Sequence, residues 1–427
     1  MKICVIGAGY VGLVSAAGFA SLGQGVVCVD RHPEKVGLVN SKKSPIFEDG
    51  LDGLLSKVVP GKLTATTDVS SALEGSDAVF ICVGTPSLQD GSADLSLVLA
   101  ASETVGKNIS RMAAYPVVVV KSTVPPCSTV GAVIPVLKRA SGKEQGKDFG
   151  VAMAPEFLRE GMALKDFLHP DRIVCGADCE KTKARLSPLF SKFSCPVLWT
   201  SGISSAEMVK YASNSFLAAK ISFINEIGNY CKAIGVDTYE VADGMGLDRR
   251  IGRAFLNSGC GFGGSCFQKD VSALKQLMNK GGFPTAILDA ILEVNSRQPL
   301  KMISILEKKI GNLSGKKIAV LGLAFKSGTD DVRDSPAFVA VDALQKGGAK
   351  IIAFDPEGME NFSKKVATIE YAPTGQEAVD NSDAVLLVTD WPQFEKLEYG
   401  DKIVIDGKSV LSREKRAKVG NYEGLCW

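Results

Sequence analysis

Residues 2–30 read KICVIGAGYVGLVSAAGFASLGQGVVCVD, and this stretch decides the fold. An apolar run at 2–6 leads directly into Gly7, Gly9 and Gly12 at G-x-G-x-x-G spacing. A helical segment follows, then a second apolar run at 25–30 that ends on Asp30. The first glycine permits a tight turn, the second a close approach of pyrophosphate, and the third close packing of helix on strand. Free amides at the helix N-terminus then hold phosphate. Asp30 lies 18 residues beyond Gly12, where a carboxylate accepts ribose hydroxyls. It therefore favours NAD over NADP. Arg31 is either a solvated surface charge or a partner for a 2′-phosphate.

Further apolar runs follow at 78–83, 117–121 and 150–154. Continuous runs of this kind read as strands buried on both faces, hence a parallel sheet with crossover helices. Residues 201–235 differ: their apolar positions recur at helical spacing with no proline. A helix of about 30 residues spans ~45 Å, and it reads as a spine shared with a partner subunit. After the punctuator IGNLSGKK at 310–317, strand-like runs resume at 317–321, 350–354, 384–389 and 402–406. KKIAVLGLAF echoes MKICVIGAGY, so the expected class is α/β, with two Rossmann-like doubly wound parallel-sheet domains joined by a central helical domain. The expected boundaries are 1–200, 201–310 and 311–427. The second copy keeps Gly322 and Asp355 but lacks the glycine fingerprint, so only the first is expected to bind a dinucleotide.

Composition narrows the function. At 427 residues the chain exceeds one ordinary core. A formal charge of +2 argues against nucleic acid and anionic membrane as partners. The longest apolar runs, such as 115–120, fall short of the ~20 residues a membrane span needs. A strand beginning at Lys2 leaves no room for a leader, so the cytoplasm is the expected compartment. Two histidines and no Cys-x-x-Cys pair argue against a metal site.

Four segments carry candidate chemistry. GCGFGGSCFQKD at 259–270 sets Cys266 among glycines with Lys269 and Asp270 behind it. Such a cysteine is either a nucleophile, its thiolate favoured by positive charge and backbone amides, or a loop cysteine beside a turn. Lys210 and Asn214 share a face of the long helix. They are either solvated or converge on developing oxyanion charge. APEFLREG supplies Glu156 and Glu160, and KSTVPP supplies Thr123 at a strand end, where doubly wound folds bind ligands.

Together with VGTP at 83–86, EMVKYASNSFLAAKISFINE at 207–226 and GLAFKSGTDDVRDSP at 322–336, these segments resemble the UDP-glucose/GDP-mannose dehydrogenase family along nearly the whole chain. GFGGSCFQKD looks like the UDP-glucose branch. The resemblance implies NAD-dependent four-electron oxidation of UDP-glucose to UDP-glucuronate, with Cys266 attacking an aldehyde and passing through a thiohemiacetal and a thioester. By the same resemblance Lys210 acts as base or oxyanion stabiliser with Asn214, Asp270 and Thr123 position a water, and Glu156 assists hydrolysis. The cofactor contacts it implies are Gly7, Gly9, Tyr10, Val11, Gly12, Asp30, Lys35, Thr85, Thr123, Glu160 and Arg333. The nucleotide sugar falls to Glu156, Phe157, Leu158, Lys210, Asn214, Phe255, Gly263, Phe267 and Lys326, with Arg250 reaching it from its own or a partner subunit. A homodimer or higher homo-oligomer through the central helix is expected.

Met153 and Ala154, Cys127 and Lys408 depart from the family pattern. Arginine is frequent at position 408, and lysine is not its equivalent at a bidentate site. Four other readings compete, among them a sugar-nucleotide epimerase, which would use Tyr-x-x-x-Lys, although no tyrosine here has lysine four residues later. Another is the same chemistry on GDP-mannose or a UDP-N-acetylhexosamine. A two-electron hydroxyacid dehydrogenase would need neither Cys266 nor the second half, and a non-enzymatic sensor would be expected to lose Cys266, Lys210 or Asp270.

Overall fold

Strand alternation builds the first sheet. In the computed structural model, which describes Met1–Trp427, β1 (Lys2–Ile6) sends Ile3 and Val5 to one face and Cys4 and Ile6 to the other. The first face packs with Leu13, Val14 and Phe19 of the first helix (Tyr10–Ser21), the second with Val98, Val105 and Leu137. The remaining strands are β2 (Gly25–Val29), β3 (Leu63–Thr66), β4 (Ala78–Ile81), β5 (Val117–Val120), β6 (Gly150–Met153), β7 (Ile173–Ala177) and β8 (Val197–Thr200). Their order is β3-β2-β1-β4-β5-β6-β7-β8. β1 lies between β2 and β4, with Ile6 paired to Val29 on one side and to Ile81 on the other. That is the topological switch point, where ligands of such sheets bind.

One pairing departs from the all-parallel expectation. β7 runs antiparallel to β6, with Ala152 opposite Ala177 and Met153 opposite Gly176. The only helix between them, Ala163–Leu168, has 6 residues and rises about 9 Å.

The structure divides into two compact units, Met1–Ser213 and Asn214–Trp427. The division falls inside the spine helix, Ile203–Ile234, whose 32 residues span about 48 Å. In the second unit, β9 (Lys317–Leu321), β10 (Lys350–Phe354), β11 (Glu370–Tyr371), β12 (Ala384–Leu387), β13 (Ile403–Asp406) and β14 (Asn421–Gly424) form a parallel sheet in the order β11-β10-β9-β12-β13-β14. Counted from its own first strand, this repeats the order of the first six strands of the first sheet. The two-sheet α/β architecture with an intervening helical region is the one expected. No helix is long and apolar enough to cross a membrane.

Candidate active site

The glycine loop in the first unit has the shape its sequence requires. Gly7 sits at φ +106°, and a Cβ there would lie 2.7 Å from the Cys82 carbonyl oxygen. A Cβ on Gly12 would come within 1.8 Å of the Gly7 carbonyl oxygen. Beside Gly9, by contrast, a Cβ would meet nothing within 4 Å, so that face of the loop is open. Gly9 also begins the first helix without a side-chain cap, which leaves the helix N-terminal amides to a ligand. Asp30 Oδ2 accepts from the Ala8 N–H at 2.8 Å and Oδ1 from the His32 N–H at 3.0 Å, fixing the carboxylate at the end of β2. Tyr10 and Val11 are half-buried, and Lys35 is half-buried on the helix Pro33–Asn40. Arg31 donates from Nε to His32 Nε2 at 3.2 Å, an exposed local contact. This loop fits a dinucleotide.

The second sheet shows what a loop closed to one looks like. Gly322 keeps a φ of +98°, but Ala324 stands where Gly9 stands. Asp355, the counterpart of Asp30, is wholly buried and accepts from the amides of Leu323, Ala324, Glu357 and Gly358 and from the Trp391 indole at 3.0 Å. The protein has filled that carboxylate's capacity itself.

Strands β4 and β5 end together. Buried Thr85 donates its hydroxyl to the Thr123 carbonyl at 2.8 Å, and Ser122 donates to the Val83 carbonyl at 2.6 Å. After β6, Glu156 Oε1 meets Lys210 Nζ at 2.9 Å, with side chains 6% and 4% exposed. Glu156 Oε2 accepts the Leu158 N–H at 2.6 Å. Phe157 is half-buried, with the Lys210 ammonium 5.4 Å and the Arg172 guanidinium 4.2 Å from its ring centre. Glu160 is half-buried further along the same loop. Burial raises the Glu156 carboxyl, but the Lys210 charge and hydrogen bond, the Leu158 N–H and Lys121 outweigh it, leaving it below its ordinary value. Lys121 is itself buried, and desolvation pulls its ammonium below the lysine range. Sequence reasoning passed over Lys121, although a lysine closing an apolar strand in KSTVPP was a visible signal.

In the second unit the cysteine loop is fastened at several points. The Gly259 N–H donates to Asn225 Oδ1, the Cys260 N–H to the Gly407 carbonyl and the Phe262 N–H to Asn295 Oδ1, each at 2.8 Å. The Gly264 N–H reaches the Arg333 carbonyl at 2.8 Å. Gly263 packs so closely that a Cβ would lie 2.4 Å from the Asp334 carbonyl oxygen. Lys408 donates to the Gly261 carbonyl at 2.8 Å, giving this departure from the family pattern a definite partner inside the loop.

Cys266 then begins the helix Phe267–Lys280, half-buried, at the helix end where the dipole favours negative charge. Phe267 stacks edge-on against Phe262 at 5.6 Å and Phe255 at 6.1 Å. One turn beyond Cys266, Asp270 is 1% exposed, accepts from Asn214 Nδ2 at 2.6 Å and pairs with Lys269. Lys326 lies over the Phe325 ring at 5.7 Å, and Arg333 is held on Asp331. Arg250 lies on the surface, its side chain 90% exposed and tied to Asp248. Cys260, by contrast, is packed core.

Comparison with known proteins agrees with this geometry. The family models of the UDP-glucose/GDP-mannose dehydrogenase family match in order: the NAD binding domain over residues 1–194, the central domain over 204–297 and the UDP binding domain over 319–413. A UDP-glucose 6-dehydrogenase of Haloferax volcanii is 43% identical over 434 residues, covering 100% of both chains. One of Bacillus subtilis is 42% identical over 429 residues, covering 98% of this chain and 91% of its own. The solved structure of a UDP-glucose dehydrogenase from the hyperthermophilic archaeon Pyrobaculum islandicum matches with a TM-score of 0.95 at 43% identity. It covers 100% of this chain and 97% of that one. NAD is the cofactor that the open glycine loop and the matched NAD binding domain identify. From its first strand to its last, the chain belongs to the UDP-glucose/GDP-mannose dehydrogenase family.

Proposed function

We propose that this enzyme oxidises the primary alcohol of UDP-glucose to the carboxylate of UDP-glucuronate, consuming water and two NAD and releasing two NADH and the balancing protons. The observation that carries the reading is Cys266 at the start of a 14-residue helix, with Asp270 one turn along and bonded to Asn214. A two-electron alcohol dehydrogenase has no use for a thiol there. NAD, held by Gly7, Gly9, Tyr10, Val11, Gly12, Asp30, Lys35, Thr85 and Thr123, supplies the hydride acceptor for both oxidations. In the first, the sugar hydroxyl gives its proton to the water that Asp270 and Thr123 position, with cationic Lys210 stabilising the alkoxide, as the alcohol becomes an aldehyde. The Cys266 thiolate adds to that aldehyde carbon, forming a C–S bond and an oxyanion that cationic Lys210 and the Asn214 amide stabilise. Loss of a second hydride equivalent leaves a thioester on the sulfur. Asp270 and Thr123 orient water, Glu156 assists its attack, and cleavage of the C–S bond returns the thiolate.

Glu160 and Arg333 complete the cofactor assignments, and Phe157, Leu158, Phe255, Gly263, Phe267, Lys326 and Arg250 those for the nucleotide sugar. The proposed division assigns 1–200 to NAD, 201–310 to the helical centre and 311–427 to the UDP-sugar. A homodimer through the spine helix is supported by Phe216, Phe223 and Tyr230, which recur every seven residues and are 67%, 51% and 66% exposed. We place the enzyme in the cytoplasm.

Cys266→Ser tests the chemistry. UDP-glucuronate formation should fall by at least about a thousandfold, while calorimetric binding of UDP-glucose persists. Normal turnover in that variant would put the nucleophile elsewhere.

A further inference from the structure

Glu207 has no part in the chemistry above, yet it is wholly buried, three residues before Lys210 on the spine helix. Its carboxylate serves one segment, the loop after β5. Oε2 accepts the Cys127 N–H at 2.7 Å and Oε1 the Thr129 N–H at 2.8 Å. Between its two anchored amides the loop takes a conformation L-residues avoid, with Cys127 at φ +72°. The same loop carries Thr123, whose carbonyl receives the Thr85 hydroxyl. One turn of the spine helix therefore grips two neighbouring strand ends. Glu207 holds the loop after β5, and Lys210, through Glu156, holds the loop after β6.

Burying a carboxylate costs several kcal/mol unless its oxygens are satisfied. A serine or asparagine could cap one amide. Only a carboxylate supplies two acceptor oxygens to two divergent N–H groups at once. Burial pushes the Glu207 carboxyl up, and the Thr129 and Cys127 N–H groups oppose that shift.

We propose that Glu207 is a positioning residue for the cofactor: by fixing the Cys127 and Thr129 amides, it sets the Thr85–Thr123 pair against NAD in register with the helix that carries Lys210. This rests on the reading of Thr85 and Thr123 as cofactor contacts. Removing the second acceptor should loosen the loop and weaken NAD without touching the nucleotide sugar.

The test is steady-state kinetics and direct NAD titration of Glu207→Gln, the double variant Glu207→Gln/Cys127→Gly, and Thr123→Ala. Glu207→Gln should raise the NAD KM and Kd at least about fivefold, the scale of one lost hydrogen bond. The UDP-glucose KM should stay within about twofold. Glycine at 127 adopts the left-handed conformation without strain, so the double variant should recover part of the NAD affinity. If Glu207→Gln does not fold, Glu207→Asp keeps the charge, cannot span both amides and should show the same split. NAD affinity at the wild-type level in Glu207→Gln beside a weakened Thr123→Ala would overturn the proposal alone. Equal loss for both substrates would likewise overturn it, reducing Glu207 to a structural cap. Wild-type NAD affinity in Thr123→Ala would overturn the underlying reading of the loop.

Discussion

Glu156 faces Lys210 with almost no water around either group, and Lys121 adds a second buried cation nearby. A carboxylate in that position is worth most as an anion, because without it two ammonium groups lose their compensation. Its pKa lies below the ordinary 4.5. The stability it contributes is therefore fully present above 4.5 and is lost as pH falls through the lower, folded value. Glu156→Gln should destabilise the protein by about 3 kcal/mol at neutral pH. The gap between variant and wild type should narrow in acid. Denaturant titrations at several pH values between neutrality and the onset of acid unfolding check this, and a gap independent of pH would contradict it. Several residues of this kind were legible in advance because a motif quoted them: Glu156, Lys210 and Asp270 are all buried and partnered. Lys121 and Glu207 were not, although both lie inside quoted segments. A sequence shows a charged side chain but not the amide or carboxylate that makes its burial tolerable.

The elements were legible where one periodicity ruled. Runs such as Val117–Val120 are buried on both faces and declare themselves, as does the 32-residue spine helix. The strands that sequence reasoning missed include Leu63–Thr66, Val197–Thr200, Glu370–Tyr371 and Asn421–Gly424, which lie at sheet edges. An edge strand needs no continuous apolar run, so LTAT or NYEG carries little signal. The antiparallel β7 was hidden for another reason: a strand's own residues do not record which way it runs beside its neighbour. The spine makes its own prediction at this scale. Replacing Phe223 and Tyr230 together by Asp puts charge into the exposed stripe, while both residues face outward and the fold should survive. Light scattering after gel filtration should show wild type as a dimer or larger and the variant shifted towards monomer. A monomeric wild type, or a variant of unchanged mass, would contradict dimerisation through this helix.

Across the whole molecule, one sheet order appears twice with different endings. The first copy leaves Gly9 open and Asp30 with two amide donors, while the second has Ala324 and an Asp355 saturated by its own chain. Duplication was readable from KKIAVLGLAF beside MKICVIGAGY, and so was the loss of the second fingerprint. Part of what saturates Asp355, the Trp391 indole, comes from 36 positions away and had no local signature. In the proposed reaction a single dinucleotide site and one cysteine carry four electrons from one sugar. Purified enzyme given limiting UDP-glucose and excess NAD should release two NADH for each UDP-glucose consumed, with UDP-glucuronate as the sole sugar product. One NADH per sugar with the aldehyde accumulating would contradict it.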